Sequence, residues 1–98
     1  ESLEFEEALH AFARAIELDP TDAESHFWIG RVHFGHFQEL ERALGYFETA
    51  VRLDPEYATA RWLLARVLKQ LGQTADLEEH AAALDRAGKR EWAAAIRK

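Results

Sequence analysis

Apolar residues recur at steps of three and four along most of this 98-residue chain, which places them on one stripe of an α-helix. The strict alternation of a half-buried β-strand does not occur in the sequence. The pattern therefore predicts an all-α fold with six helices, over about 3–18, 22–35, 38–53, 55–71, 75–87 and 89–98.

Capping residues stand where several of these helices are expected to begin or end. Thr21 precedes Glu24 by three residues, which is the spacing of a capping box. Pro55 fits the first turn of the fourth helix, where its missing N–H costs nothing. Gly35 is expected to stop the second helix in a left-handed conformation. The other expected N-caps are Ser2, Asp54 and Thr74, and the other glycines expected to end helices are Gly72 and Gly88.

The sequence repeats itself at an offset of 35 residues. Leu18-Asp19-Pro20 recurs as Leu53-Asp54-Pro55, and the neighbourhood of each copy recurs with it. Matching pairs include Ala8 with Ala43, Phe12 with Phe47, Phe27 with Trp62, and Arg31 with Arg66. A period of 20 to 50 residues indicates a stacked repeat array, in which each unit covers the apolar face of its neighbour.

The repeated residues resemble the tetratricopeptide repeat, a helical hairpin of about 34 residues. Residues 23–55 fit its pattern of spaced positions with Ile29-Gly30, His33, Ala43, Phe47, Ala50 and Pro55. The resemblance implies stacked antiparallel helical hairpins in a right-handed superhelix, closed by a C-terminal capping helix. Gly30 and Ala65 are expected to let neighbouring helices approach closely, while Phe12 and Phe47 fill the space between hairpins.

On this resemblance the chain divides into four parts within a single domain, 1–98. Residues 1–20 are the second half of a repeat, 21–55 a full repeat, 56–88 a degenerate repeat, and 89–98 the capping helix. The sequence departs from the family pattern at His26 and Arg61, which stand where a tryptophan is usual, and at His33, which replaces a tyrosine.

The resemblance also implies a function, since family members look like non-enzymatic adaptors that bind a peptide or partner segment in a concave groove. The side chains that match the groove lining are Phe27, Arg31, Phe34, Thr59, Trp62, Arg66 and Lys69. We hypothesise an acidic or aromatic-bearing peptide, with the arginines on carboxylates and Phe27 and Trp62 on apolar side chains. In the alternative interpretation the aromatic rings pack against adjacent helices and the arginines are solvated or paired with glutamates.

A second hypothesis is self-association through the open N-terminal or C-terminal end of the stack. The first helix is expected to leave Phe5, Leu9 and Phe12 in need of cover, and exposed apolar patches tend to become interfaces. Residues 1–56 carry 13 acidic and 4 basic side chains, a net charge of −9, whereas residues 57–98 carry 5 and 8, a net charge of +3. This asymmetry suits head-to-tail contact between copies, or an acidic partner at the C-terminal end.

Composition narrows the remaining classes of function. The net charge of −6 argues against nucleic-acid binding, and no apolar run reaches the length of a membrane span. The default location is cytoplasmic; the sequence opens at Glu1 without a methionine and at mid-repeat, which fits a piece of a longer protein. The chain has no cysteine and no nucleophile motif, and the spacing of His33 and His36 is interrupted by Gly35. We therefore expect no catalysis, no cofactor and no metal.

Overall fold

The computed structural model describes residues 2–98, with side chains from Leu3 onward. This stretch forms six α-helices: α1 (Ser2–Leu18), α2 (Ala23–Gly35), α3 (Leu40–Leu53), α4 (Ala58–Leu71), α5 (Leu77–Arg86) and α6 (Arg90–Arg97). No strand occurs within it. The N-cap role expected of Ser2 concerns a side chain outside the described residues.

Each helix packs against the next one along the chain, and the loops between them are short. Consecutive helices therefore run in opposite directions and form hairpins. The last helix, α6, packs on both α5 and α4 and closes the stack. The predicted all-α fold of stacked antiparallel hairpins with a C-terminal capping helix is confirmed. None of the helices in residues 2–98 combines the length and hydrophobicity that a membrane crossing requires.

The larger core cluster joins α2, α3 and α4 around Phe47. The Phe47 side chain is fully buried, and its ring centroid lies 5.9 Å from that of Phe27 and 6.3 Å from that of Phe34. Alanines and aliphatic residues of α3 and α4 complete the cluster. This arrangement agrees with the prediction that Phe47 fills the space between hairpins.

Gly30 explains how α2 and α3 come close enough to bury Phe47. A Cβ atom at Gly30 would lie 2.9 Å from two ring carbons of Phe47 and 3.1 Å from Cβ of Tyr46. Because real Cβ contacts are longer than this, any larger side chain would push the two helices apart. The expectation that Gly30 permits a close approach of helices is confirmed.

A second core cluster holds the C-terminal part of the stack together. It consists of buried residues from α4, α5 and α6: Ala65, Ala81, Leu84, Ala93 and Ile96. Trp62 packs against this cluster and against the larger one, so α4 is shared by both. The C-terminal hairpin and capping helix are therefore attached through α4.

The structure corrects the predicted start of α2. Asp22, not Thr21, is the N-cap, and its carboxylate accepts bonds from the N–H and the hydroxyl of Ser25 at 3.4 and 2.7 Å. The Thr21 hydroxyl instead donates to Asp19 over 2.6 Å. Both residues could cap, and the backbone of Asp22 has the extended conformation that an N-cap adopts.

Other predicted helix boundaries were also wrong in detail. α2 does end at Gly35, but the left-handed residue of the following loop is Gln38, with φ of 56°. Pro55 lies in the turn before α4 rather than in its first turn, and α5 begins at Leu77 without a cap from Thr74. Gly72 and Gly88 do take left-handed conformations after α4 and α5.

The predicted division of the chain at 20/21, 55/56 and 88/89 falls in loops at each point. The assignment of these segments to repeat halves stays a prediction.

Candidate functional site

Six of the seven residues predicted to line a groove are at least partly accessible. These are Arg31 and Phe34 of α2 and Thr59, Trp62, Arg66 and Lys69 of α4. The three cations among them are exposed, whereas the two aromatic residues and the threonine are half-buried. We call this set of six residues the groove wall.

The seventh residue, Phe27, lies in the core and is only 3% exposed. Its ring centroid is 5.9 Å from that of Phe47 and 5.0 Å from that of Tyr57. The structure therefore corrects the prediction that Phe27 contacts a partner, since this position of α2 faces α3 and the loop before α4. The next residue, Trp28, is turned by about 100° around the helix and is half-buried.

A row of contacts between cations and aromatic rings runs from α2 to α6. The Arg66 guanidinium carbon lies 5.7 Å from the ring centroid of Phe34 and 5.6 Å from that of Trp62. Trp62 stacks on Trp92 of α6, with 5.3 Å between centroids and 15° between ring planes. Lys89, just before α6, places Nζ 5.1 Å from the Trp92 centroid. We call these five residues the cation–aromatic row.

Arg31 is held by a similar arrangement on α2. Its guanidinium carbon lies 5.3 Å from the ring centroid of Trp28, which in turn stacks on Phe12 at 6.4 Å. Arg31 and Phe34 are three residues apart and are neighbours on one helix face, and Arg66 contacts the same Phe34. The two arginines therefore reach one stretch of surface.

Neither Arg31 nor Arg66 is paired with a carboxylate within residues 2–98. Arg97 of α6 behaves differently, because it bonds to Glu78 at 2.8 and 3.0 Å and to Asp85 at 2.8 Å. The hydrogen bonds that Arg97 donates, to Glu78 first and then to Asp85, raise the pKa of Arg97 above its ordinary value. Unlike Arg97, Arg31 and Arg66 therefore keep guanidinium donors that no carboxylate of residues 2–98 occupies.

A recess of about 280 Å³ opens beside the row, between α4 and α6. Its lining residues are Trp62, Arg66, Lys69, Gln70, Ala95 and Ile96. Lys69 crosses from α4 to α6 and donates from Nζ to the carbonyl of Ala95 over 3.3 Å. Two cations beside an indole and an isoleucine suit a side chain with an apolar stem and an anionic end.

Sequence reasoning missed Trp28, Trp92 and Lys89 as neighbours of the groove wall. Trp92 lies in the segment 89–98 that was assigned to the capping helix, and no partner contact was predicted for it. A usable signal was present: α6 follows α5 as α4 follows α3, which on the predicted repeat division gives α6 the position of the first helix of a further hairpin. Its aromatic residue is then expected beside Trp62 of α4.

His33 and His36 both pack against neighbouring side chains. His33 is 7% exposed, its Nδ1 lies 2.7 Å from Oε1 of Glu39, and its ring stacks on Tyr46 at 5.8 Å. His36 stacks on Phe5 with 3.8 Å between centroids. Within the part of the chain that the structure describes, no group of three or more His, Cys, Asp or Glu side chains is placed to hold a metal ion.

We expect the protein to lose stability at acid pH through His80 of α5. Arg61 Nη1 donates a hydrogen bond to His80 Nδ1 over 3.0 Å, which requires the neutral ring. Burial first, and then the charge of Arg61, lower the pKa of His80 below its ordinary value of 6.5. As the pH falls, the unfolded chain takes up this proton before the folded one. The contribution is therefore complete above pH 6.5 and decreases as the pH falls below it.

Urea unfolding at about pH 7.5 and about pH 5.5 measures this effect, with His80→Gln as the control. The glutamine amide oxygen can accept the bond from Arg61 but does not titrate. The unmodified protein should lose more unfolding free energy between the two pH values than the variant does. Equal losses would show that His80 is not responsible.

Two family models match the sequence of this chain. One described as TPR repeat matches residues 4–36, and one described as tetratricopeptide repeat matches residues 37–96. The stacked hairpins define a helical repeat protein, and the second match alone covers more than half of the chain. The chain belongs to the tetratricopeptide repeat family. A search of curated proteins gives no match.

The two matched segments meet in the loop between α2 and α3, so they do not mark the repeat boundaries predicted at 20/21 and 55/56. Tetratricopeptide repeats are in general protein–protein interaction modules and are typically non-enzymatic.

Proposed function

We propose that this domain is a protein-interaction module whose groove wall binds an acidic segment of a partner protein. One observation carries the proposal: Arg31 and Arg66 rest on aromatic rings and have no carboxylate partner within residues 2–98. The rings restrict where each guanidinium can lie. An arginine placed in this way can grip a carboxylate with two parallel hydrogen bonds.

Local charge supports an acidic partner. α4 carries Arg61, Arg66 and Lys69 and no acidic residue. Residues 57–98 have a net charge of +3, with 8 basic and 5 acidic side chains, although the whole chain is at −6. A locally basic surface speeds the encounter with an acidic segment and disfavours a basic one. The overall negative charge continues to argue against nucleic acid.

The ring contacts favour an acidic segment over an aromatic-bearing one. The Trp62 ring already contacts both Arg66 and Trp92, and the Phe27 ring lies in the core. A partner's aromatic side chain would have to displace one of these contacts before it could stack. A carboxylate needs only the N–H edges of the arginines, which the ring contacts leave accessible.

Reversing both charges, as Arg31→Glu with Arg66→Glu, is expected to weaken binding of an acidic peptide at least tenfold, or about 1.4 kcal/mol. Each substitution replaces an attraction with a repulsion at the same place. The probe is a fluorescently labelled peptide of glutamate and serine, and the measurement is its anisotropy during titration at low salt.

The matched control is Arg42→Glu with Arg52→Glu, two exposed positions of α3 that give the same change in net charge. This variant should bind almost as well as the unmodified protein. Equal weakening in both variants would mean that the peptide senses only net charge. Unchanged binding after reversal of Arg31 and Arg66 would remove the groove wall as the site.

Self-association is a second candidate, favoured by two exposed leucines on α1. Leu3 is 67% exposed and Leu18 is 81% exposed. Phe5 and Phe12, which were expected to need cover, are half-buried against His36 and Trp28. The leucines and the acidic first half of the chain could meet the basic C-terminal part of a second copy.

Sedimentation velocity over a range of protein and salt concentrations tests this candidate. A head-to-tail contact predicts a sedimentation coefficient that rises with protein concentration and falls with added salt. A constant monomer value throughout would eliminate it.

A further inference from the structure

We infer that the binding surface continues from the groove wall onto the capping region through Trp92 and Lys89, and that its partner is an extended segment with acidic side chains at alternate residues. This inference rests on the proposed function and specifies the partner more closely. It is carried by the cation–aromatic row, which places cations from α4 and from the start of α6 along one line of contacts.

The capping helix is fixed well enough to form part of such a surface. Arg97 joins it to α5 through Glu78 and Asp85. Lys69 of α4 bonds to the carbonyl of Ala95 in its last turn. The Trp62 and Trp92 rings, which stack at 5.3 Å, tie its first turn to α4. α6 is thus attached to α4 at both of its ends.

The length of the cation–aromatic row determines how many residues of an extended partner segment are needed to span it. Three contacts of 5.6, 5.3 and 5.1 Å lead from Arg66 through the two indoles to Lys89. Laid end to end they span at most about 16 Å, which an extended chain rising about 3.3 Å per residue crosses with about five residues. A short segment can therefore reach both cations at once.

The cations of the row determine which side chains the partner segment needs and how they are spaced. Within residues 2–98, the two cations of the row, Arg66 and Lys89, have no carboxylate partner. In an extended chain, side chains two residues apart point to the same side. Acidic residues at positions i, i+2 and i+4 would then all face the row, whereas three consecutive acidic residues could not. The structure thus favours an alternating acidic pattern over an acidic block.

Two labelled peptides of identical composition test this pattern. One has the core Glu-Ser-Glu-Ser-Glu and the other Ser-Glu-Glu-Glu-Ser, each with neutral ends. We expect the unmodified protein to bind the alternating peptide at least about threefold more tightly. Addition of that peptide should also shift the indole N–H resonance of Trp92. Equal affinities together with an unmoved Trp92 resonance would overturn the inference.

A charge reversal at Lys89 tests whether the capping region takes part. Lys89→Glu should weaken binding of the alternating peptide at least about fivefold, whereas Lys98→Glu, the same change beyond the end of α6, should leave it within about twofold. Lys89 is exposed, so the fold should persist, which circular dichroism checks.

The outcomes separate this inference from the proposed function. Suppose that reversal of Arg31 and Arg66 abolished binding while Lys89→Glu acted no more strongly than Lys98→Glu. The groove wall would then be supported as the binding site, and its extension to α6 would be refuted. If neither peptide bound the unmodified protein, the proposed function would fail, and the inference with it.

Discussion

Replacing Phe47 with alanine is expected to lower the free energy of unfolding by about 3–5 kcal/mol. The side chain is fully buried at the junction of α2, α3 and α4, against Phe27 and Phe34. Its removal takes apolar area out of the core and leaves a cavity that Gly30, without a side chain, cannot fill. Because whole domains have only about 5–15 kcal/mol of stability, the variant should be close to unfolding.

Urea unfolding followed by circular dichroism measures the loss at Phe47. The control is Glu48→Ala, the adjacent exposed residue of α3, which should stay within about 0.5 kcal/mol of the unmodified protein. A cost at Phe47 as small as that of the control would contradict the stacking of hairpins around this ring.

Leu84→Ala is expected to have the second-largest effect, a loss of about 2–5 kcal/mol. Leu84 is fully buried and lies in the cluster that joins α5 and α6 to α4. Loosening this cluster should also disturb the stack of Trp62 on Trp92, which depends on the position of α6. The near-ultraviolet circular dichroism of the tryptophans should therefore decrease in the folded variant.

Arg86→Ala, an exposed change in the last turn of α5, is the matched control for Leu84. It should alter neither the unfolding free energy by more than about 0.5 kcal/mol nor the tryptophan signal. A Leu84 variant that kept the full tryptophan signal and its stability would show that α6 is held without this cluster.

The fold was largely predictable because one period of 35 residues repeats the requirements of one hairpin. Gly30 and Phe47 both stand at positions of the repeat pattern. The pattern predicts that their helices approach closely, and the structure shows the contact. Helix boundaries were less predictable. Thr21 and Asp22 can both cap a helix, and the structure shows that the Asp22 carboxylate makes the capping bond, to the N–H of Ser25. The left-handed residue after α2 is Gln38 rather than the glycine that favours this conformation.

The candidate site was only partly predictable, because it depends on the rotation of each helix and on contacts between distant segments. Phe27 and Trp28 are adjacent aromatic residues, and the sequence alone does not say which one enters the core. The pairing of Trp62 with Trp92 crosses from α4 to α6 and lies outside the 35-residue match. The contact of Arg66 with Phe34 likewise joins two helices that are separated along the chain by α3.

Amide chemical-shift mapping with the alternating acidic peptide tests the central claim most directly. We expect saturable shifts that concentrate at Arg31, Phe34, Trp62, Arg66 and Trp92, on α2, α4 and α6, and that shrink as salt is added. Shifts concentrated on the exposed residues of α3 and α5, with those five positions unmoved, would contradict an acidic partner on the groove wall.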